Sequence, residues 1–290
     1  MKNKIQPKDY YDFFPPNAHR TGDIWRDLPN FFIFNIPHSY GIVVTPACDL
    51  AQKKSETITY LPIASIEDYL NTPAFYNEIW LNIQIQLEKL KLLKLITPPE
   101  RYELPILEEI LEVSKKIEEM CKTDKSKDGA LTRIKAYEIY AHENKNKRKI
   151  TIKKISDIFT SGDFDKIIKK IVTNSFKVDI HFLPADEKNI ESSSVPNHSL
   201  ILFRYALTIP VEILNIAQIS SSFEWDSQIL KMKDETPIIN NFGKVPIRLS
   251  TLKDDFLSDL LSRYVSMQIR LGARDFTKET INQYAEQLRS

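Results

Sequence analysis

The hydrophobic pattern of this chain switches between the alternation of a strand and the spacing of a helix, and that order constrains the fold more than any single residue. Successive side chains of a strand point to opposite faces, whereas a helix brings every third or fourth residue onto one stripe. Up to residue 70, aromatic and β-branched runs bounded by Pro, Asn, Gly and Ser predict strands: Asp23-Ile24-Trp25, Phe31-Phe32-Ile33-Phe34-Asn35-Ile36, Gly41-Ile42-Val43-Val44 and Thr57-Ile58-Thr59-Tyr60-Leu61-Pro62-Ile63. The pattern then turns helical, with Tyr76, Trp80, Ile83, Leu87 and Leu90 on one stripe until Thr97-Pro98-Pro99 stops it. Ile106, Ile110, Val113, Ile117 and Met120 next follow the seam spacing of paired helices, so residues 74–96 and 105–121 are expected to form an antiparallel hairpin. Ala130, Ile134, Tyr137 and Ala141 predict a third helix, and Phe164, Ile167, Ile168 and Ile171 a short fourth. Alternation returns in Lys177-Val178-Asp179-Ile180-His181-Phe182-Leu183 and in residues 199–207. Ser250 is then expected to cap a long terminal helix with Phe256, Leu260, Tyr264, Met267 and Leu271 on its core face.

This order predicts an α+β fold: a small SH3-like β-barrel interrupted by a helical insertion, with a long C-terminal helix. The barrel domain is expected to be discontinuous, residues 1–70 and 175–249, with the insertion at 71–174 and a C-terminal helical segment at 250–290. The aromatic, proline-stiffened stretch Tyr10-Tyr11 and Phe13-Phe14-Pro15-Pro16 is expected to cover the open end of the barrel, since exposed aromatic clusters are disfavoured in soluble monomers.

Charge and composition narrow the function classes. With 40 basic and 39 acidic residues the net charge is +1, so any nucleic-acid contact has to come from a local patch. The six glycines form neither a G-x-G-x-x-G nor a P-loop spacing, which argues against dinucleotide and P-loop nucleotide sites. His19, His38, His142, His181 and His198 are scattered, without C-x-x-C or H-E-x-x-H, so neither a metal nor a cofactor is expected. Two distant cysteines, an N-terminus without an apolar signal-peptide core, and the lack of a run near the roughly 18 apolar residues of a membrane span lead to the expectation of a cytoplasmic protein with no membrane contact.

Several residues are candidates for chemistry. Cys48 ends an apolar strand; it is a nucleophile if His38 faces it across a turn, and otherwise a small core residue. Asp49 beside it is expected to cap the following turn. Asp179 and His181 alternate on a strand, which puts both on one face where they can share a proton, or else form a solvated sheet face. Lys147, Arg148 and Lys149 sit in the densest cationic region, and Arg263, Arg270 and Arg274 border the apolar stripe of the terminal helix, so both sets are candidates to meet an acidic partner or phosphate. Asp259, four residues before Arg263, is placed to pair with it.

Gly22-Asp23-Ile24-Trp25, Gly41-Ile42-Val43-Val44-Thr45-Pro46 and Ile58-Thr59-Tyr60-Leu61-Pro62-Ile63 together resemble the opening strands of the PemK/MazF family of toxin ribonucleases, which are SH3-like barrels. Where that family carries its catalytic arginine this chain has Ser39 and Tyr40, and where the family has its catalytic threonine this chain offers Ser65. The Cys48-Asp49-Leu50 and Phe182-Leu183-Pro184 strand ends and the helix from Arg248-Leu249-Ser250 to Arg270-Leu271-Gly272 resemble uncharacterised bacterial proteins encoded near mobile-element and anti-phage defence genes. The resemblances imply a binding or regulatory subunit of a defence or toxin-type system that engages a protein partner or nucleic acid. An endoribonuclease on the same barrel is the alternative, and a hydrolase centred on Cys48 trails both.

Overall fold

A computed structural model describes residues 5–13, 18–29, 40–232, 241–269 and 277–287. The chain is α+β, built on one antiparallel sheet curled into a half-barrel. Its strands are β1 (Tyr11–Asp12), β2 (Asp23–Arg26), β3 (Tyr40–Val43), β4 (Thr57–Ser65), β5 (Ile180–Leu183), β6 (Ser199–Leu202), β7 (Leu207–Pro210) and β8 (Ile247–Leu252). They lie in the order β1-β8-β2-β3-β4-β6-β5, with β7 also on β4. The long β4 is the spine: Thr57 to Tyr60 pair with β7, and Ile63 to Ser65 pair with β6. Strands from before and after the helical stretch thus share one sheet.

Both faces of the sheet are buried, which is why its strands read as near-continuous apolar runs. On β4, Ile58 and Tyr60 face one side while Leu61 and Ile63 face the other. Helix α1 (Ala47–Ala51) is a short surface turn, and α2 (Ile66–Leu70), α3 (Pro73–Lys89), α4 (Leu107–Thr123), α5 (Asp128–Lys145), α6 (Ile152–Ser156) and α7 (Ser161–Val172) form the insertion. The insertion packs on Ala64, Ile180, Phe182, Leu200 and Leu202. Along the same face, α8 (Val211–Ile219) and α9 (Ser222–Met232) cover Trp25, Val43, Ile58 and Tyr60. The opposite face, with Ile24, Ile42, Leu61, Leu183 and Ile201, is covered by α10 (Asp254–Ile269) through Leu260, Phe256 and Tyr264; α11 (Lys278–Gln287) follows. Each fully buried Leu or Ile on these faces contributes roughly 1.5–3 kcal/mol.

One glycine is required by close approach. A Cβ on Gly41 would lie 2.5 Å from Tyr60 Cδ2 and 2.7 Å from Leu28 Cδ1, so only a residue without a side chain lets the Tyr60 ring lie flat on β3.

Within the insertion, α4 packs most closely against α5, not against α3 as the seam spacing predicts. The stripe Ile110, Val113 and Ile117 demands an apolar partner without specifying which. The brief turn Lys125–Lys127 folds α5 straight back onto α4, and Lys135 pairs with Glu118 across the two helices at 2.5 Å. Helix α3 stops at Lys89 rather than near Ile96, and Lys91 follows with φ 59°.

Ser250 does not cap a helix. It lies in β8 opposite Ile24 and is fully buried, because both β1 and β2 take β8 as their neighbour; α10 starts only at Asp254. The expected strand at 31–36 lies outside the described residues. Tyr11 is buried in the core, where its hydroxyl donates to Pro184 O at 2.5 Å, and Tyr10 stacks on Phe256 with ring centres 3.8 Å apart. Among the described residues, no helix is long and apolar enough to cross a membrane.

Candidate functional site

Most of the residues singled out by sequence do not converge. Cys48 is exposed on α1 rather than in the core; its S–H donates to the adjacent Asp49 carboxylate at 3.6 Å. Asp49 stands in the first turn of α1, where its carbonyl, not its carboxylate, takes the Lys54 N–H at 2.9 Å. His38, Arg270 and Arg274 lie outside the described residues. Among the described residues, no group of three or more His, Cys, Asp or Glu is placed to hold a metal ion.

Asp179 and His181 do not share a proton. Asp179 precedes β5 and holds the Arg204 guanidinium, with Nε 2.6 Å from Oδ2. His181 is buried on the opposite side of the sheet beneath α10, stacked on Phe203. Burial lowers its pKa to about 4, with Asp259 raising and Arg263 lowering it further. The alternation predicted one shared face; the strand begins only at Ile180, so Asp179 escapes the pleat.

Of the cationic candidates among the described residues, Arg148, Lys149 and Arg263 have carboxylate partners. Lys149 pairs with Asp68 of α2, Arg148 with Glu143 at 3.7 Å, and Lys147 sits in a left-handed turn with φ 55°. Arg263 holds Asp259 at 2.9 Å and donates to Asn174 O at 3.0 Å, which ties α10 to the end of α7. Asp23 of the Gly-Asp-Ile-Trp run is likewise structural. Its fully buried carboxylate accepts from Thr251 Oγ1 at 2.6 Å, Arg20 N–H at 2.8 Å and Arg248 at 3.1 Å, fastening β2 to β8.

The arrangement with the most chemistry lies where the sheet meets the insertion. A cleft of about 570 Å³ opens there, within the several-hundred-Å³ range of small-ligand sites. Tyr69 comes from α2 and Trp80 from α3; Arg101 and Tyr102 come from the turn after the Pro98-Pro99 break. Lys177 and Asp179 come from the lead-in to β5, and Arg204 and Tyr205 from the 3-10 turn Phe203–Tyr205. The Phe203 N–H donates to Asp179 O at 2.9 Å, which brings the last two segments together. Lys177 Nζ donates to Ala74 O at 2.7 Å and lies 3.7 Å from Glu78, pinning the lead-in to the start of α3.

The polar groups of this cleft influence one another. Burial, then Tyr102 and Asp179, push the Tyr205 hydroxyl up to about 12, with Arg204 opposing. Burial chiefly, and then Asp179, raises Tyr69 as well. Both phenols therefore keep their protons at neutral pH and remain donors. Asp179 in turn raises the Arg204 pKa, first through its hydrogen bond. The cleft brings aromatic side chains, a carboxylate acceptor and a guanidinium donor together. Of these residues the sequence singled out only Asp179 as a site residue; the others are far apart in the chain and share no spacing, and Trp80 reads there as one more residue of a helix stripe.

No protein-family model matches the chain, and no curated protein or solved structure matches it significantly.

Proposed function

We propose that the protein is a binding or regulatory subunit of a bacterial defence or toxin-type system, which works by holding a partner in the cleft between sheet and insertion rather than by covalent chemistry. The defence or toxin setting rests on the sequence resemblances alone. The observation that carries the binding reading is the cleft itself, where Trp80, Tyr102, Tyr205 and Arg204, the residue types that dominate binding hot spots, line one concave surface. The ribonuclease alternative has less support. Ser65, at the place of the family's catalytic threonine, donates its hydroxyl to Asp68 Oδ2 at 2.5 Å and accepts the Asp68 N–H at 3.0 Å as the cap of α2.

The test is purification of the untagged chain from its native host, as wild type and as the double variant Tyr102→Gly, Arg204→Ala. A stoichiometric partner that accompanies the wild type and is lost from the variant is the expected result. Equal recovery with both proteins, or RNA cleavage by the purified wild type that Ser65→Ala abolishes, would overturn the reading.

A further inference from the structure

The turn that carries Arg101 and Tyr102 is built against folding economy. Glu103 N–H closes it onto Glu100 O at 3.1 Å, and its third residue, Tyr102, has φ 72°. Turns with positive φ at that position ordinarily take glycine, and a bulky residue there is strained. Tyr102 is also 46% exposed, with the Arg101 guanidinium 4.8 Å over its ring. The positive φ of so bulky a residue opposes stability. Residues held in this way cluster at ligand-binding sites.

Four further observations narrow the ligand. Trp80, Tyr102 and Tyr205 line the cleft together, aromatic side chains of the kind on which bases stack. Asp179 holds Arg204 through Nε, so the pair offers a carboxylate acceptor next to a guanidinium whose terminal nitrogens are further donors, a match for the mixed donor and acceptor edge of a base. The charges of the lining balance: Arg101, Lys177 and Arg204 face Glu100, Glu103 and Asp179. A polyphosphate or a long polyanion finds no excess positive field there, and the chain's net charge of +1 supplies none from outside. A volume of about 570 Å³ suits one nucleotide.

We propose that this cleft binds a single nucleobase, preferably a purine, carried either by a free nucleoside monophosphate or by an unpaired nucleotide of RNA. The proposal rests on the binding reading above and specifies its ligand. Purines are favoured because their larger ring covers more of the aromatic lining.

The test is titration of the full chain, followed by tryptophan fluorescence, with adenosine and guanosine monophosphates, with ribose 5-phosphate, and with a short single-stranded oligoribonucleotide. Trp25 and Trp225 are buried, so Trp80 is the reporter in the cleft, and Trp80→Phe should remove most of the response. Saturable quenching by the purine nucleotides but not by ribose 5-phosphate is expected. Tyr102→Gly should weaken it about tenfold, the scale of one lost stacking contact, with no fall in melting temperature. Tighter binding of the oligonucleotide assigns the base to RNA; equal or tighter binding of the monophosphates assigns it to a free nucleotide. A lack of saturation by nucleotides and oligonucleotide alike, equal binding of ribose 5-phosphate, or unchanged affinity in Tyr102→Gly would overturn the proposal. If nucleotides fail while the native partner is still lost from the cleft double variant, the ligand assignment falls and the binding reading stands.

Discussion

The same substitution at two glycines should move stability in opposite directions. At Gly41 the new methyl would sit 2.5 Å from Tyr60 Cδ2 and 2.7 Å from Leu28 Cδ1, well inside van der Waals contact. Neither neighbour can give way easily, because Tyr60 and Leu28 are 0% and 4% exposed. Forcing a methylene-sized group into such packing costs about 1–3 kcal/mol. Gly162, in the first turn of α7, has nothing within 4 Å of a built Cβ, so alanine there relieves only the entropic cost of a helical glycine, about 0.5 kcal/mol. Urea unfolding of Gly41→Ala and Gly162→Ala reads both. The clash also predicts coupling: Gly41→Ala combined with Tyr60→Leu should cost less than the sum of the single changes, since removing the ring opens the space the methyl needs. Gly41→Ala without loss of stability, or strict additivity with Tyr60→Leu, would refute the packing of β3 under Tyr60.

Other outcomes follow from single positions. Val113→Asp should lower stability by several kcal/mol, because Val113 is fully buried in the insertion core and a carboxylate there has no partner; a near-wild-type urea midpoint would exclude that core. His181 has its pKa lowered by burial to about 4 from the ordinary 6.5, so as pH falls through that window the unfolded chain takes up the proton first. Stability should therefore decline from about pH 6.5 to about pH 4, by about 3 kcal/mol in all, and His181→Leu should flatten that part of the profile; a slope unchanged in the variant would place its origin elsewhere. Tyr102→Gly should leave stability level or raise it by up to about 1 kcal/mol of relieved strain, and a marked fall in melting temperature would show that the ring is structural.

The legible part of the fold is the part written in local periodicity. The runs at 41–44 and 57–63 and the stripes of α5 and α7 appear as strands and helices close to their expected places, because their own residues alternate or recur. Partner choice was not legible: Val113 and Ile117 announce a buried helix face, but the Lys125–Lys127 turn decides that α5 covers it. Ser250 reads as a helix cap because Ser is a good one, and only the positions of β1 and β2 make its segment a strand. The short β1 and the helices α8 and α9 carry too little pattern of their own to stand out. The cleft was least legible, since Tyr69, Tyr102, Asp179 and Tyr205 meet only once the insertion is folded onto the sheet edge. The pairing of Lys149 was not legible for a related reason: the Asp68 carboxylate comes to it only in the folded chain, whereas Arg263 meets the Asp259 that lies four residues before it.

Hydrogen exchange of the chain with and without the partner recovered from its native host tests the location of binding most directly. Slowed exchange on binding is expected at residues 98–105, 177–179 and 203–206, three of the segments that line the cleft, with 145–149 and α10 unchanged. Protection confined to α10 or to residues 145–149, with the cleft segments exchanging as in the free protein, would contradict the assignment.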